Sequence, residues 1–239
     1  MHGATLLLVF ARAIGLAARA PGFAHPSVPP PVRVAVAAAL ALAVAPQVRE
    51  TPVLATPLLI VALASEVAIG AALGLGVTLL YDGAYAAGRL LDDYVGVRGS
   101  VPNANVTSAQ AFGRLWSATF LAGLFLLDGY VAIVAAFAGS FARVAPGTAI
   151  AAGAWLRFAL ALPATIVEAA VLIAAPAIAA AAAAQIALAA TARVVPRFGG
   201  FALGFPAAFA VALVATVIAI PLLAPAAGRP WLVVPWGAP

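Results

Sequence analysis

With 239 residues, 66% of them hydrophobic and only 8% charged, and a mean hydropathy of +1.15, the chain carries more apolar surface than a soluble core of this length needs. Its net charge of +5 comes from twelve arginines scattered singly, with no lysine, so no basic stripe for nucleic acid is present. There is no cysteine, which excludes disulfides and thiolate metal sites. The fold class that follows is an all-α polytopic membrane protein of about six to eight helical segments, some broken or kinked. One helical domain is expected over residues 1–225, followed by a Pro/Trp-rich tail over 226–239.

Thr5 to Ala20 predicts a first membrane-associated helix that is kept and not cleaved, since no positive stretch precedes it and Arg12 interrupts its apolar run. Arg12 could snorkel towards a headgroup or pair with an acid on a neighbouring subunit. Pro21 to Pro31 cannot be helical throughout and forms the first loop. A helix from about Pro31 to Ala45 ends at Pro46, and Gln47 to Pro52 is a short polar turn. From Thr56 a long helix is expected to run to about Tyr94, with Gly83 and Gly88 as bend points. Its first half carries Glu66 and the small-residue pair Gly70 and Gly74, which lets another backbone approach.

Asp92 to Gln110 is the one long polar segment and reads as a loop. Helix resumes over Ala111 to Leu127, breaks near Asp128-Gly129 and continues from Tyr130 to Ala142. Arg143 to Gly147 is a turn. Ile150 to Leu162 and Pro163 to Ala192 are expected as separate segments, with a kink at Pro176 and a six-alanine face at Ala179 to Ala184. A basic turn, Arg193 to Gly200, precedes a last helix from Phe201 to Leu223. Trp231 and Trp236 are expected to hold the tail at a membrane interface.

Three carboxylates, Glu66, Asp128 and Glu168, lie in otherwise apolar stretches. An ionisable group at bilayer depth is costly, so each is a functional candidate by default, and the plainer alternative is an ion pair between helices. Enzyme signatures are missing. Asp92-Asp93 lacks a following acid at Gly96 for a magnesium diphosphate site, and Asp82-Gly83 with Arg89 lacks the remaining residues of a phosphotransferase motif. His2 and His25 have no metal-ligand spacing, and no Walker, GxSxG or HExxH sequence is present. No cofactor and no catalytic residue are expected.

The order of motifs resembles the FliR/SctT family, membrane proteins of the flagellar and type III secretion export apparatus. The resemblance is carried by Phe10-Ala11-Arg12-Ala13-Ile14-Gly15-Leu16 and Val28-Pro29-Pro30-Pro31-Val32-Arg33-Val34. It continues through Glu66-Val67-Ala68-Ile69-Gly70 with Gly74, Ala87-Gly88-Arg89-Leu90-Leu91-Asp92 with Gly96, and Leu127-Asp128-Gly129-Tyr130. Ala192-Arg193-Val194-Val195-Pro196-Arg197-Phe198 and Gly204-Phe205-Pro206 complete it. The chain departs from the family where Arg98 to Asn103 lacks methionine and where Gly199-Gly200 replaces an expected asparagine.

The resemblance implies an export-gate subunit of the bacterial inner membrane, at the base of a secretion or flagellar apparatus, and not an enzyme. Its partners would be two other small multi-pass membrane proteins in a hetero-oligomeric ring, an export-switch membrane protein and unfolded secreted substrates. The family places its lumen-closing plug at the segment that here contains Gly96, Arg98, Gly99, Ser100, Pro102, Asn103, Asn105 and Thr107. Arg12, Glu66, Arg89, Asp92, Asp128 and Arg193 are read as polar contacts between helices or subunits, and Gly70 and Gly74 as a packing face. The alternative is a secondary transporter or permease subunit that uses an intramembrane carboxylate. That alternative lacks the internal repeat such proteins often show, because Glu66-x3-Gly70 has no counterpart around Glu168.

Overall fold

The computed structural model describes residues 3–25, 28–49, 55–95, 111–126, 128–194, 206–215 and 234–235. Among them every regular element is helical. These are α1 (Gly3–Arg19), α2 (Pro30–Val44) continued by a 3-10 turn (Ala45–Gln47), α3 (Thr56–Val95), α4 (Phe112–Leu126), α5 (Gly129–Arg143), α6 (Ala152–Val194) and α7 (Pro206–Ala215). The polar segment from Gly96 to Ala109, the basic turn beyond Val194, and Trp231 and Trp236 lie outside the described residues.

Proline and glycine set most of these boundaries. α1 ends before Pro21-Gly22, where Gly22 takes a left-handed φ of 89°. α2 begins on Pro30-Pro31, whose missing N–H groups lie among the donors that a helix start leaves unpaired. Between α4 and α5 the chain bends by 70° at Asp128, which has a φ of 56°; aspartate visits this left-handed region more readily than most residues.

Pro163 does not divide the chain as its chemistry led us to expect. α6 runs unbroken from Ala152 to Val194 through both Pro163 and Pro176. A helical proline forfeits one hydrogen bond and crowds the preceding turn, a penalty that neighbouring bonds and packing can absorb in an apolar setting. α3 likewise continues as helix through Gly83 and Gly88.

Three helices, Pro30–Gln47, Thr56–Val95 and Ala152–Arg193, are long and apolar enough to cross a membrane, and the bent pair α4 and α5 gives a possible fourth span. This is the pattern of a multi-pass membrane protein. At ~1.5 Å per residue, α3 and α6 each run about 60 Å, roughly twice a ~30 Å hydrocarbon core. Part of each therefore needs surroundings other than lipid tails.

The chain forms two contact units. The first comprises Met1–Leu79, Leu121–Pro163 and Pro230–Pro239, and the second Leu80–Phe120 and Ala164–Arg229. In the first unit, Val9, Ala13, Leu16, Ala41, Leu73, Val77 and Phe137 build a core in which Val234 of the tail is also buried. Lipid tails are as apolar as leucine, so such a core gains from close packing more than from exclusion of water.

Glycine makes that closeness possible between α1 and α3. A Cβ added at Gly70 would overlap the Arg12 carbonyl, and one at Gly15 would overlap the Val67 carbonyl. At Gly74 it would lie 2.7 Å from Arg19 Cβ. The Thr78 hydroxyl closes the end of this crossing, 2.5 Å from the Arg19 carbonyl that α1 leaves free. Gly70→Ala is accordingly expected to cost about 1–3 kcal/mol by forcing two backbones apart. Thermal unfolding in detergent measures this, and an unchanged midpoint would mean that the crossing is looser than described.

The second unit packs small residues of α6 (Ala170, Ala174, Ala177 and Ala181) with Ala84, Ala87 and Leu91 of α3, Phe112 and Trp116 of α4, and Ala208 and Ala212 of α7. The spacing of the four alanines by three or four residues keeps them on one helical face. Phe112 and Phe209 meet with ring centroids 5.0 Å apart.

Candidate functional site

Arg12 and Glu66, 54 residues apart in sequence, meet in the first unit with both side chains wholly buried. Their facing positions follow from the glycine crossing, because Gly70 lies one turn beyond Glu66 on α3 and abuts the backbone of Arg12 itself. Arg12 Nε donates to Glu66 Oε2 at 2.6 Å, Nη1 to Ser140 Oγ at 2.8 Å, and Nη2 to the Val144 carbonyl at 3.0 Å. Its guanidinium carbon also lies 4.1 Å from the centre of the Phe141 ring, within cation–π range.

Glu66 is held from its other side as well. The Gly147 N–H donates to Oε1 at 2.8 Å, so each carboxylate oxygen has a donor. Gly147 can aim its N–H there because it has a φ of 80° in the turn closed by Thr148 N–H to the Ala145 carbonyl at 3.1 Å. Pro146 followed by a left-handed glycine is the preferred pair for a type II turn. The Ser140 hydroxyl donates to the Phe137 carbonyl at 2.7 Å while accepting from Arg12. The network thus ties α1, α3, α5 and the turn after α5 to one buried charge pair.

Sequence reasoning did not find Ser140, Val144 or Gly147. Two signals were available: a single serine within the apolar run of α5, and the Pro146-Gly147 turn pair soon after it.

The second unit contains a different polar arrangement. Asp92, in the last turn of α3, accepts from three backbone N–H groups at the start of α4. Oδ1 takes Phe112 N at 2.9 Å and Ala111 N at 3.3 Å, and Oδ2 takes Gly113 N at 3.2 Å. A carboxylate is disfavoured at the C-terminal end of its own helix and favoured at the N-terminal end of another, and the second effect prevails here because it includes direct hydrogen bonds. One turn before Asp92, a Cβ on Gly88 would overlap the Gly113 backbone, so α3 and α4 touch at the same place.

The other expected contact residues are dispersed. Asp128 is exposed at the α4–α5 bend and makes no side-chain cap. Arg193 is exposed in the last turn of α6, where its charge complements the helix dipole. Arg89 is partly exposed and has no partner among the described residues. The expected plug residues, Gly96 to Thr107, lie outside the described residues. No group of three or more metal-ligating side chains is found among the described residues.

A family model for bacterial export proteins, family 1, matches residues 4–231. The chain belongs to this family, the FliR/SctT proteins. The match covers both contact units, and with them the Arg12–Glu66 pair and the Asp92 cap. No curated protein matches the chain. As a member of the family, the protein is a membrane component of a bacterial export apparatus, and the family is not known for enzymes. Among the described residues, Arg12, Glu66 and Asp92 are each engaged by donors or acceptors of the chain itself.

Proposed function

We propose that this chain is one subunit of the export gate of a type III secretion or flagellar apparatus in the bacterial inner membrane. In this reading it joins two other small multi-pass membrane proteins in a hetero-oligomeric ring around a path for unfolded proteins. An export-switch membrane protein stands beside the ring. The match of residues 4–231 to the export family carries the proposal. Two features support it. α3 and α6 are longer than a bilayer needs, and both expose large apolar side chains, among them Ile60, Val61, Leu160 and Ile186, suited to contact with neighbouring subunits. The polar segment from Gly96 to Ala109 is assigned the obstruction of the lumen by resemblance to the family, and Asp92 holds the start of α4 just beyond it.

The transporter alternative would place an ion or proton on an intramembrane carboxylate. Glu66 suits that role poorly, because both of its oxygens already hold protein donors. Affinity purification of the tagged chain in mild detergent, from cells that also express the apparatus, separates the readings. The gate predicts a stable complex with two other small multi-pass proteins, whereas a lone monomer or homodimer that takes up solute would overturn it.

A further inference from the structure

We infer that the face of α6 bearing Glu168 is covered by a transmembrane helix of another subunit, which brings a lysine or arginine to this carboxylate. The inference rests on the export-gate reading and assigns that assembly a specific contact. Between Arg157 and Arg193, Glu168 is the one charged residue in the sequence. Along the helix axis these arginines are about 16 Å and 37 Å away, beyond the reach of a side-chain ion pair. Glu168 is exposed and has no hydrogen-bond or ion-pair partner among the described residues.

Helix packing prevents the carboxylate from turning inward. The next two residues, Ala169 and Ala170, are buried, and a Cβ on Gly83 of α3 would lie only 2.6 Å from Ala169 Cβ. This contact orients that turn of α6 with Glu168 on the uncovered side. No cation answers it from α3. Asp82, which precedes Gly83, is itself acidic and has no partner among the described residues, while Arg89 lies about 10 Å further along that helix.

The surroundings of Glu168 decide what covers it. Val171 and Leu172, one turn along and on the same face, are 53% and 62% exposed, and Val167 beside them is exposed as well. Lipid accepts these apolar side chains but not the charge. Water accepts the charge, yet Val171 and Leu172 continue this face as exposed apolar side chains, and Thr165, the polar residue one turn back, is only partly exposed and already engaged in an interaction of its own. A helix that packs apolar side chains on Val167, Val171 and Leu172 and places one ammonium or guanidinium at Glu168 satisfies both.

A photo-reactive amino acid at Val171, in cells expressing the whole apparatus, tests the contact. We expect a cross-link to a different apparatus subunit, mapping within two helical turns of a lysine or arginine. Glu168→Arg should lower recovery of the complex at least roughly tenfold, as reversal of a charge within an interface does, and exchanging the mapped basic residue for glutamate should restore it. Glu168 is exposed, so the variant chain alone should keep its wild-type helicity and elution in detergent. Should it misfold, the cross-link in the unmodified background decides. Adducts with phospholipid alone, or full recovery of the complex with Glu168→Arg, would overturn the contact and leave the gate reading intact. If the wild-type chain recovers no other apparatus subunit, the gate reading fails and this inference fails with it.

Discussion

Arg12→Met is expected to lower the unfolding free energy by about 3–5 kcal/mol, because it leaves the wholly buried Glu66 carboxylate without its counter-charge. Glu66→Ala should cost about as much, since it strands the guanidinium and also removes the acceptor for Gly147 N–H. Glu66→Gln should cost less than Glu66→Ala, as the amide oxygen can still accept that N–H. Combining Arg12→Met with Glu66→Gln should recover a large part of the loss, because both charges are then gone and the cavity stays filled. Reversible denaturation in mixed micelles measures all four variants. A cycle in which the two single effects simply add would mean that the residues are not coupled, against the 2.6 Å contact. A readout in the assembled apparatus adds a further distinction. If the Glu66 variants assemble normally yet abolish proton-coupled export, the carboxylate acts as a protonation site and not as a structural partner.

Asp92→Ala is expected to be the next most damaging change, at about 2–3 kcal/mol. It removes an ionised acceptor from a helix start and leaves up to three N–H groups unpaired. The buried N–H groups of Phe112 and Gly113 bear most of this cost. Asp92→Asn, which keeps one acceptor oxygen, should lose about half as much. Hydrogen exchange followed by mass spectrometry gives a local test. Peptides covering the first turn of α4 should exchange faster in Asp92→Ala, while peptides from α1 and α5 in the other contact unit should not change. Uniform acceleration across the chain would instead indicate that Asp92 supports the whole fold.

How much of this protein was legible in its sequence differs from element to element. The end of α1 and the start of α2 were accessible because Pro21, Pro30 and Pro31 act through their own missing donors and fixed φ, whatever packs nearby. The break at Asp128-Gly129 was accessible for a similar local reason. Membrane class followed from composition, and the export family from the order of short motifs spread over most of the chain. Pro163 shows where this local logic stops, since its cost is real but small enough for the surrounding helix to absorb.

Partner choice was the part that only tertiary structure decided. Arg12 and Glu66 were recognisable as charges needing partners, but their sequence positions leave open whether they satisfy each other or groups elsewhere. The glycine crossing of α1 and α3 brings them together, and Gly147 and Ser140 complete their hydrogen bonds from a third helix and its following turn. Asp92 was read as a contact between helices or subunits, and the tertiary structure gives that contact its form, a cap from α3 on the start of α4. Gly83 and Gly88, read from the sequence as bend points, are also points of close approach to α6 and α4. Most helix boundaries depend on neighbours within about four residues and were set by the sequence itself, with Pro163 the exception; the pairing of buried charges depends on which backbones can touch, and the tertiary fold decided that.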